Sequence, residues 1–309
     1  MALMADAQTY SLTSGKYRAD IAAVGAGLRV LEYDGAALTE TWEAGTKPPL
    51  SAGLVLAPWP NRTADGTFAF EGVEHRLEIT EPSRGNASHG FVRRVAWTLV
   101  EHADGRVEQS VDIGTHPGWP FSVTVTVVHE LSADGLTVTA SAKNTGDSPA
   151  PYGMGFHTYA RVGDVPLDEC TLELSAGTRL PLDPVRNLPV GNSVPTADTE
   201  YDFRKARTLK GVQLDTPFSA SLPDADGRAN HVLRGPDGTA TVLWTDSSFG
   251  WVQVFTADPA NDQAYPDRGR ALAIEPMTCP PDALNSEIDL IVLDPGQTWS
   301  GTWGMRFEK

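Results

Sequence analysis

The chain has 309 residues, 40% of them hydrophobic, and carries 40 acidic against 24 basic side chains, a formal net charge of −16. That acidity argues against nucleic acid or an anionic membrane as partner, since both reward a basic surface, and no apolar run approaches the roughly 18 residues that a membrane helix needs. Only two cysteines, Cys170 and Cys279, are present, too few for a disulfide framework; with no secretory leader legible in Met1–Gln8, a cytoplasmic protein is expected.

Taken in chain order, the elements read as strands. Arg29–Tyr33 and Ala37–Trp42 flank an Asp34-Gly35 turn. From Phe121 to Leu131 the odd positions are Phe, Val, Val, Val, His and Leu, while the even ones are mostly Ser and Thr. After Ala133-Asp134-Gly135, the residues Leu136, Val138, Ala140 and Ala142 alternate with polar ones. Period-two alternation on both sides of a turn predicts a half-buried hairpin. The segment from Pro181 to Asp202 lacks periodicity, is rich in Pro, Asn and Asp, and reads as a long surface loop. At the C-terminus, Ile288–Leu293, a turn at Asp294–Gln297 and an alternating Trp299–Phe307 predict a second hairpin of the same form. With 29 Gly and 23 Pro spread along the chain, helices of three or more turns are not expected. The expected architecture is all-β, a large antiparallel β-sandwich, organised as one domain over residues 1–309.

Two short phrases carry chemistry. Glu275 lies in A-I-E-P-M-T-C-P-P-D-A-L-N, a carboxylate in a stiff, Pro-rich setting, and His157 closes the Gly- and aromatic-rich run P-Y-G-M-G-F-H-T-Y. The phrases N-R-T-A-D-G-T-F-A-F and S-H-G-F add Asn61, Arg62 and His89. A carboxylate suits a general base and an imidazole a general acid, with reference pKa values of about 4.3 and 6.5. Asn61, Arg62 and His89 supply polar groups able to hold a polyhydroxylated ligand, so the inventory points to proton transfer on a sugar. Trp59, Phe156, Phe249 and Trp251 offer apolar faces for a pyranose ring, or core packing. Other motifs fail: Val24-Gly25-Ala26-Gly27 lacks the third glycine and the helix of a dinucleotide loop, and no nucleophile elbow surrounds Ser88-His89. A metal site built from His89, His157 and Glu275, or a binding protein without turnover, stays open on these residues alone.

The phrases A-P-W-P-N-R-T-A-D-G-T-F-A-F, S-H-G-F-V, G-F-H-T-Y, L-D-T-P-F and I-E-P-M-T-C-P-P-D-A-L-N span most of the chain. Together they resemble the aldose 1-epimerases, or galactose mutarotases, in that family's order, with wording closest to its bacterial mutarotase-related members. The resemblance implies a β-supersandwich and interconversion of the α and β anomers of a free monosaccharide such as glucose or galactose, with no metal and no cofactor. It implies Glu275 as catalytic base, His157 as catalytic acid, His89 as a second active-site histidine, and Arg62 and Asp215 as ligands of sugar hydroxyls. Asn61 and Trp251 are expected at the substrate with them. A sugar-phosphate 1-epimerase is a narrower variant, for which Arg62, Arg93 and Arg94 are the basic residues to watch.

Overall fold

A computed structural model describes residues 8–309; the Met1–Ala7 part of the N-terminal stretch lies outside the described residues. The largest sheet is antiparallel and nine-stranded. It opens with Thr98–Ala103, Arg106–Ile113, Val123–Ser132 and Gly135–Asn144, continues through Thr298–Glu308, and closes with Ala240–Thr245, Ala229–Arg234, Thr171–Leu174 and Arg207–Thr208. The predicted central hairpin is present, with Val127 opposite Ala140 and Val125 opposite Ala142. Its buried side chains alternate with partly exposed threonines, as the period-two pattern requires.

A second, eight-stranded sheet faces the first. Its central strands are Asp215–Ser221, Trp251–Ala257 and Ala271–Met277, followed by the short segments Gly155–Phe156 and Val55–Leu56. Val252, Val254, Leu272 and Ile274 of this sheet share one apolar cluster with Val125, Val127, Val138 and Ala140 of the other. Trp303 meets Phe156 across the interface with ring centroids 4.9 Å apart. Strand Ala271–Met277 is buried on both faces, unlike Val123–Ser132 and Gly135–Asn144 of the large sheet, because the second sheet has the core behind it and further structure in front. Those opposite-face positions carry the functional side chains.

Two sequence expectations need amending. The C-terminal segments do not form a hairpin with each other: Ile291–Leu293 pairs with Ala150–Tyr152, while Thr298–Glu308 inserts between Gly135–Asn144 and Ala240–Thr245. Alternation predicts which residues are buried but not which strand lies alongside. Trp303 and Met305 find their apolar neighbours in Val138, Leu136 and Leu243 rather than in the preceding strand. The segment from Pro181 to Asp202 is largely irregular, yet it is not wholly at the surface. Asn187 and Thr196 are buried, and Val194–Pro195 adds a short edge strand against Ala176–Arg179. Cys170 and Cys279 are both free and buried. The one α-helix among the described residues is the four-residue Ala283–Ser286, and no helix there is long and apolar enough to cross a membrane.

Candidate active site

Strand register brings Glu275 and His157 together. Gly155 lies opposite Met277 and Tyr159 opposite Ala273, so the intervening position 157 faces position 275. On the other flank Gln253 is the direct partner of Glu275, and Asp215 pairs with Phe255, two residues further along. Alternate side chains of a strand share a face, so Gln253, Phe255 and Glu275 project together into a cleft of about 240 Å³. His157 is held by its backbone, its N–H donating to Leu54 O at 3.0 Å and its carbonyl accepting from Gly53 N at 2.8 Å.

His157 Nε2 stands 3.6 Å from Glu275 Oε1, with Glu275 only 2% exposed. The other carboxylate oxygen, Oε2, has no hydrogen-bond partner. A buried acceptor left unpaired is costly, and a ligand hydroxyl relieves that cost. Burial pushes the Glu275 carboxyl well above its usual range; the neighbouring Asp215 adds to the shift and Arg62 opposes it. Burial, helped by Arg93 and Arg62, drives the His157 imidazole down to about 3. These shifts correct the expectation of reference values for both groups: each is desolvated, so each favours its neutral form.

The second histidine comes from the opposite wall. Arg62–Ala64 pairs with Asn86–Ser88, and the turn residues Asn61 and His89 that flank this ladder both have positive φ, 54° and 61°. His89 N donates to Asn61 O at 2.8 Å, and Asn61 N donates to His89 Nδ1 at 3.1 Å. With Nδ1 accepting, the ring proton sits on Nε2, so the tautomer is fixed by the backbone. His89 and His157 lie with ring centroids 5.7 Å apart, and burial, then Arg93 and His157, keep His89 neutral.

Arg62 gives Nε and Nη2 to the two carboxylate oxygens of Glu81, at 2.8 and 3.1 Å, and Nη1 to Asn61 Oδ1 at 3.3 Å. Asp215 is clamped by two amides: Gln253 Nε2 donates to Oδ1 at 2.6 Å and Asn187 Nδ2 donates to Oδ2. Asn187 in turn accepts from Arg84 Nη1 at 3.0 Å, and Arg84 pairs with Glu81. The polar wall is therefore a connected chain from Arg62 through Glu81, Arg84 and Asn187 to Asp215.

The structure thus gathers Glu275, His157, His89, Arg62, Asp215 and Asn61 at one cleft. It does not bring Trp251 there. That side chain packs with Leu180 and Met277, and its indole N–H donates to Asp289 Oδ2 at 2.7 Å. Trp251 shares a strand face with Gln253 and Phe255 but sits at the strand's far end, beyond the cleft; Phe255 lines the cleft instead. Sequence reasoning missed Gln253, Asn187 and Glu81, for which local pattern holds no signal. Among the described residues no group of three or more His, Cys, Asp or Glu side chains is placed to hold a metal ion. His89 has already committed Nδ1 to a backbone N–H.

The family model described as aldose 1-epimerase matches residues 8–306. The uncharacterized protein YihR of Escherichia coli strain K12 is 32% identical over 291 residues, covering 94% of this chain and 90% of that protein. The maltose epimerase of Levilactobacillus brevis is 29% identical over 260 residues, 76% of this chain and 73% of that protein. Among solved structures, a galactose mutarotase-like protein from Clostridium acetobutylicum superposes with a TM-score of 0.84 at 23% identity, over 97% of this chain and 94% of that one.

Proposed function

The chain belongs to the aldose 1-epimerase family and is an isomerase, and on that footing we propose that it interconverts the α and β anomers of an aldose such as glucose or galactose. The carrying observation is the buried Glu275–His157 pair, 3.6 Å apart, with Glu275 lining the cleft and one of its carboxylate oxygens, Oε2, without a partner. Opening a cyclic hemiacetal requires a proton to leave the C1 hydroxyl and another to reach the ring oxygen. Glu275 takes the first as base and His157 supplies the second as acid. The C1–ring oxygen bond breaks with its electron pair on the ring oxygen, and the C1 carbonyl forms. Rotation about C1–C2 turns the other aldehyde face inward, and reclosure reverses both transfers.

The proton count supports this reading. The pair holds one exchangeable proton in either of two arrangements: carboxylate with imidazolium, or carboxylic acid with neutral imidazole. The first opens the ring and the second closes it, so a turnover in either direction returns the enzyme to its starting state. Burial favours the neutral arrangement, as the opposed shifts of the two groups indicate. Sugar hydroxyls donating to the carboxylate offset that bias on binding. Asp215, held by Gln253 and Asn187, accepts from further hydroxyls. His89, whose Nε2 carries the proton, donates to developing charge on the ring oxygen. Each proton transfer contributes about 10²–10⁴-fold.

The test is polarimetry on freshly dissolved α-glucose and α-galactose, with and without protein, in the presence of EDTA. Faster decay of rotation toward the equilibrium value is the expected outcome. Unchanged decay for both sugars at micromolar protein would refute the assignment to these aldoses.

A further inference from the structure

The cleft adjoins a second cavity of about 300 Å³, and Ser51, Arg93 and Arg94 line both. In a chain whose net charge is −16, no Asp or Glu among the described residues lines this second space, whereas Arg29, Lys47, Arg93 and Arg94 all do. Arg29 is paired with Asp20, although its Nε is buried without a partner. Arg93 is 7% exposed, and its hydrogen bonds go to neutral acceptors only: Ser51 Oγ at 3.1 Å, Ser88 O at 3.3 Å and Ser88 Oγ at 3.4 Å. Burial and the adjacent Arg94 lower Arg93 to about 10, which still leaves it charged at neutral pH. Among the described residues, none of Lys47, Arg93 and Arg94 has a carboxylate within ion-pair distance. A buried guanidinium without a counter-charge is destabilising, and a ligand that brings the charge removes the penalty.

We propose that this second cavity is an oxyanion subsite, and that the aldose acted on carries a phosphate-like anionic substituent that enters it while C1 reaches the Glu275–His157 pair. Arg93, Arg94 and Lys47 line the cavity together with the hydroxyl-bearing Thr46 and Ser51. Three cations and two hydroxyls are more donors than a flat carboxylate can occupy, and they suit a tetrahedral group with three free oxygens. Trp42 gives the cavity one apolar side. The statement about the substrate rests on the epimerase reading; the statement about the cavity does not.

Two measurements separate them. Calorimetric titration of inorganic phosphate into the protein should show one saturable site, weakened about tenfold or more in Lys47→Ala/Arg94→Ala, as expected for loss of charge-assisted bonds. Lys47 and Arg94 are exposed, so this variant is expected to fold; Arg93→Lys, which keeps the charge, should bind phosphate more strongly than the double variant. Absence of saturable binding, or equal binding in wild type and double variant, overturns the subsite. The ratio of kcat/KM for glucose 6-phosphate to that for glucose should exceed one and fall about tenfold in the double variant. If phosphate binds as expected but this ratio is unmoved, the cavity's link to the substrate is overturned. If neither sugar is turned over while phosphate binding behaves as expected, the subsite stands and the epimerase reading falls.

Discussion

Replacing Glu275 by Gln should separate activity from stability in opposite directions. The amide has nearly the volume of the carboxylic acid, so the buried site, 2% exposed, is not emptied. Catalysis loses its base, which costs about 10²–10⁴-fold in kcat, or about 3–5 kcal/mol of barrier at 1.36 kcal/mol per tenfold. Stability should move the other way as pH rises. The folded protein holds this carboxyl well above its usual range, through burial and the nearby Asp215. Below the unfolded-state pKa of about 4.3 both states are protonated and the group has no pH-dependent effect. Above it the unfolded chain ionises while the folded one keeps its proton, so wild-type stability falls by up to about 1.4 kcal/mol per pH unit until the folded group titrates too. The Gln variant lacks this loss. Urea unfolding of both proteins at pH 5, 6.5 and 8 should therefore show the variant gaining on the wild type with pH, while polarimetry shows the activity lost. Retained turnover would refute Glu275 as the base. A stability difference that does not change with pH would refute its desolvation in the folded state.

Other substitutions test the surrounding structure. His129 is buried at 1% exposure with both ring nitrogens unpartnered, and burial pulls it down to about 3; between about pH 6.5 and that value it destabilises the fold by up to about 1.4 kcal/mol per unit of falling pH. His129→Leu should accordingly lower the midpoint of acid unfolding, followed by circular dichroism, and a midpoint equal to wild type would contradict the buried neutral histidine. Asn187→Ala removes one of the two amides on Asp215; a hydrogen bond to a charged group is worth about 1.5–3 kcal/mol, so KM should rise about tenfold or more with kcat changed far less, and a fall in kcat at constant KM would show that Asn187 serves the proton-transfer step instead. Trp251→Phe deletes the indole bond to Asp289 and should cost about 1–3 kcal/mol in denaturant unfolding without altering kcat/KM; a large loss of activity would return Trp251 to the substrate.

How much of this was legible beforehand varies with the kind of information involved. Period-two alternation around Val123–Ser132 and Gly135–Asn144 fixed the β class and the buried face, because side-chain direction in a strand depends only on parity. The chemistry of His157 and Glu275 could be read from their phrases, since residue type limits what a side chain can donate or accept. Their meeting could not. It depends on Gly155 standing opposite Met277 and Tyr159 opposite Ala273, a register between segments more than a hundred residues apart. The same holds for Asn187, carried to Asp215 by an otherwise irregular segment, and for Thr298–Glu308, which found its neighbours in strands other than the one expected. Trp251 and Phe255 share one face of one strand, yet only Phe255 reaches the cleft, because position along the strand is set by what packs over its ends. The titration behaviour of Glu275 and His157 was equally out of reach: sequence supplies the ionisable groups, whereas desolvation arises only once two sheets and their covering loops close around them.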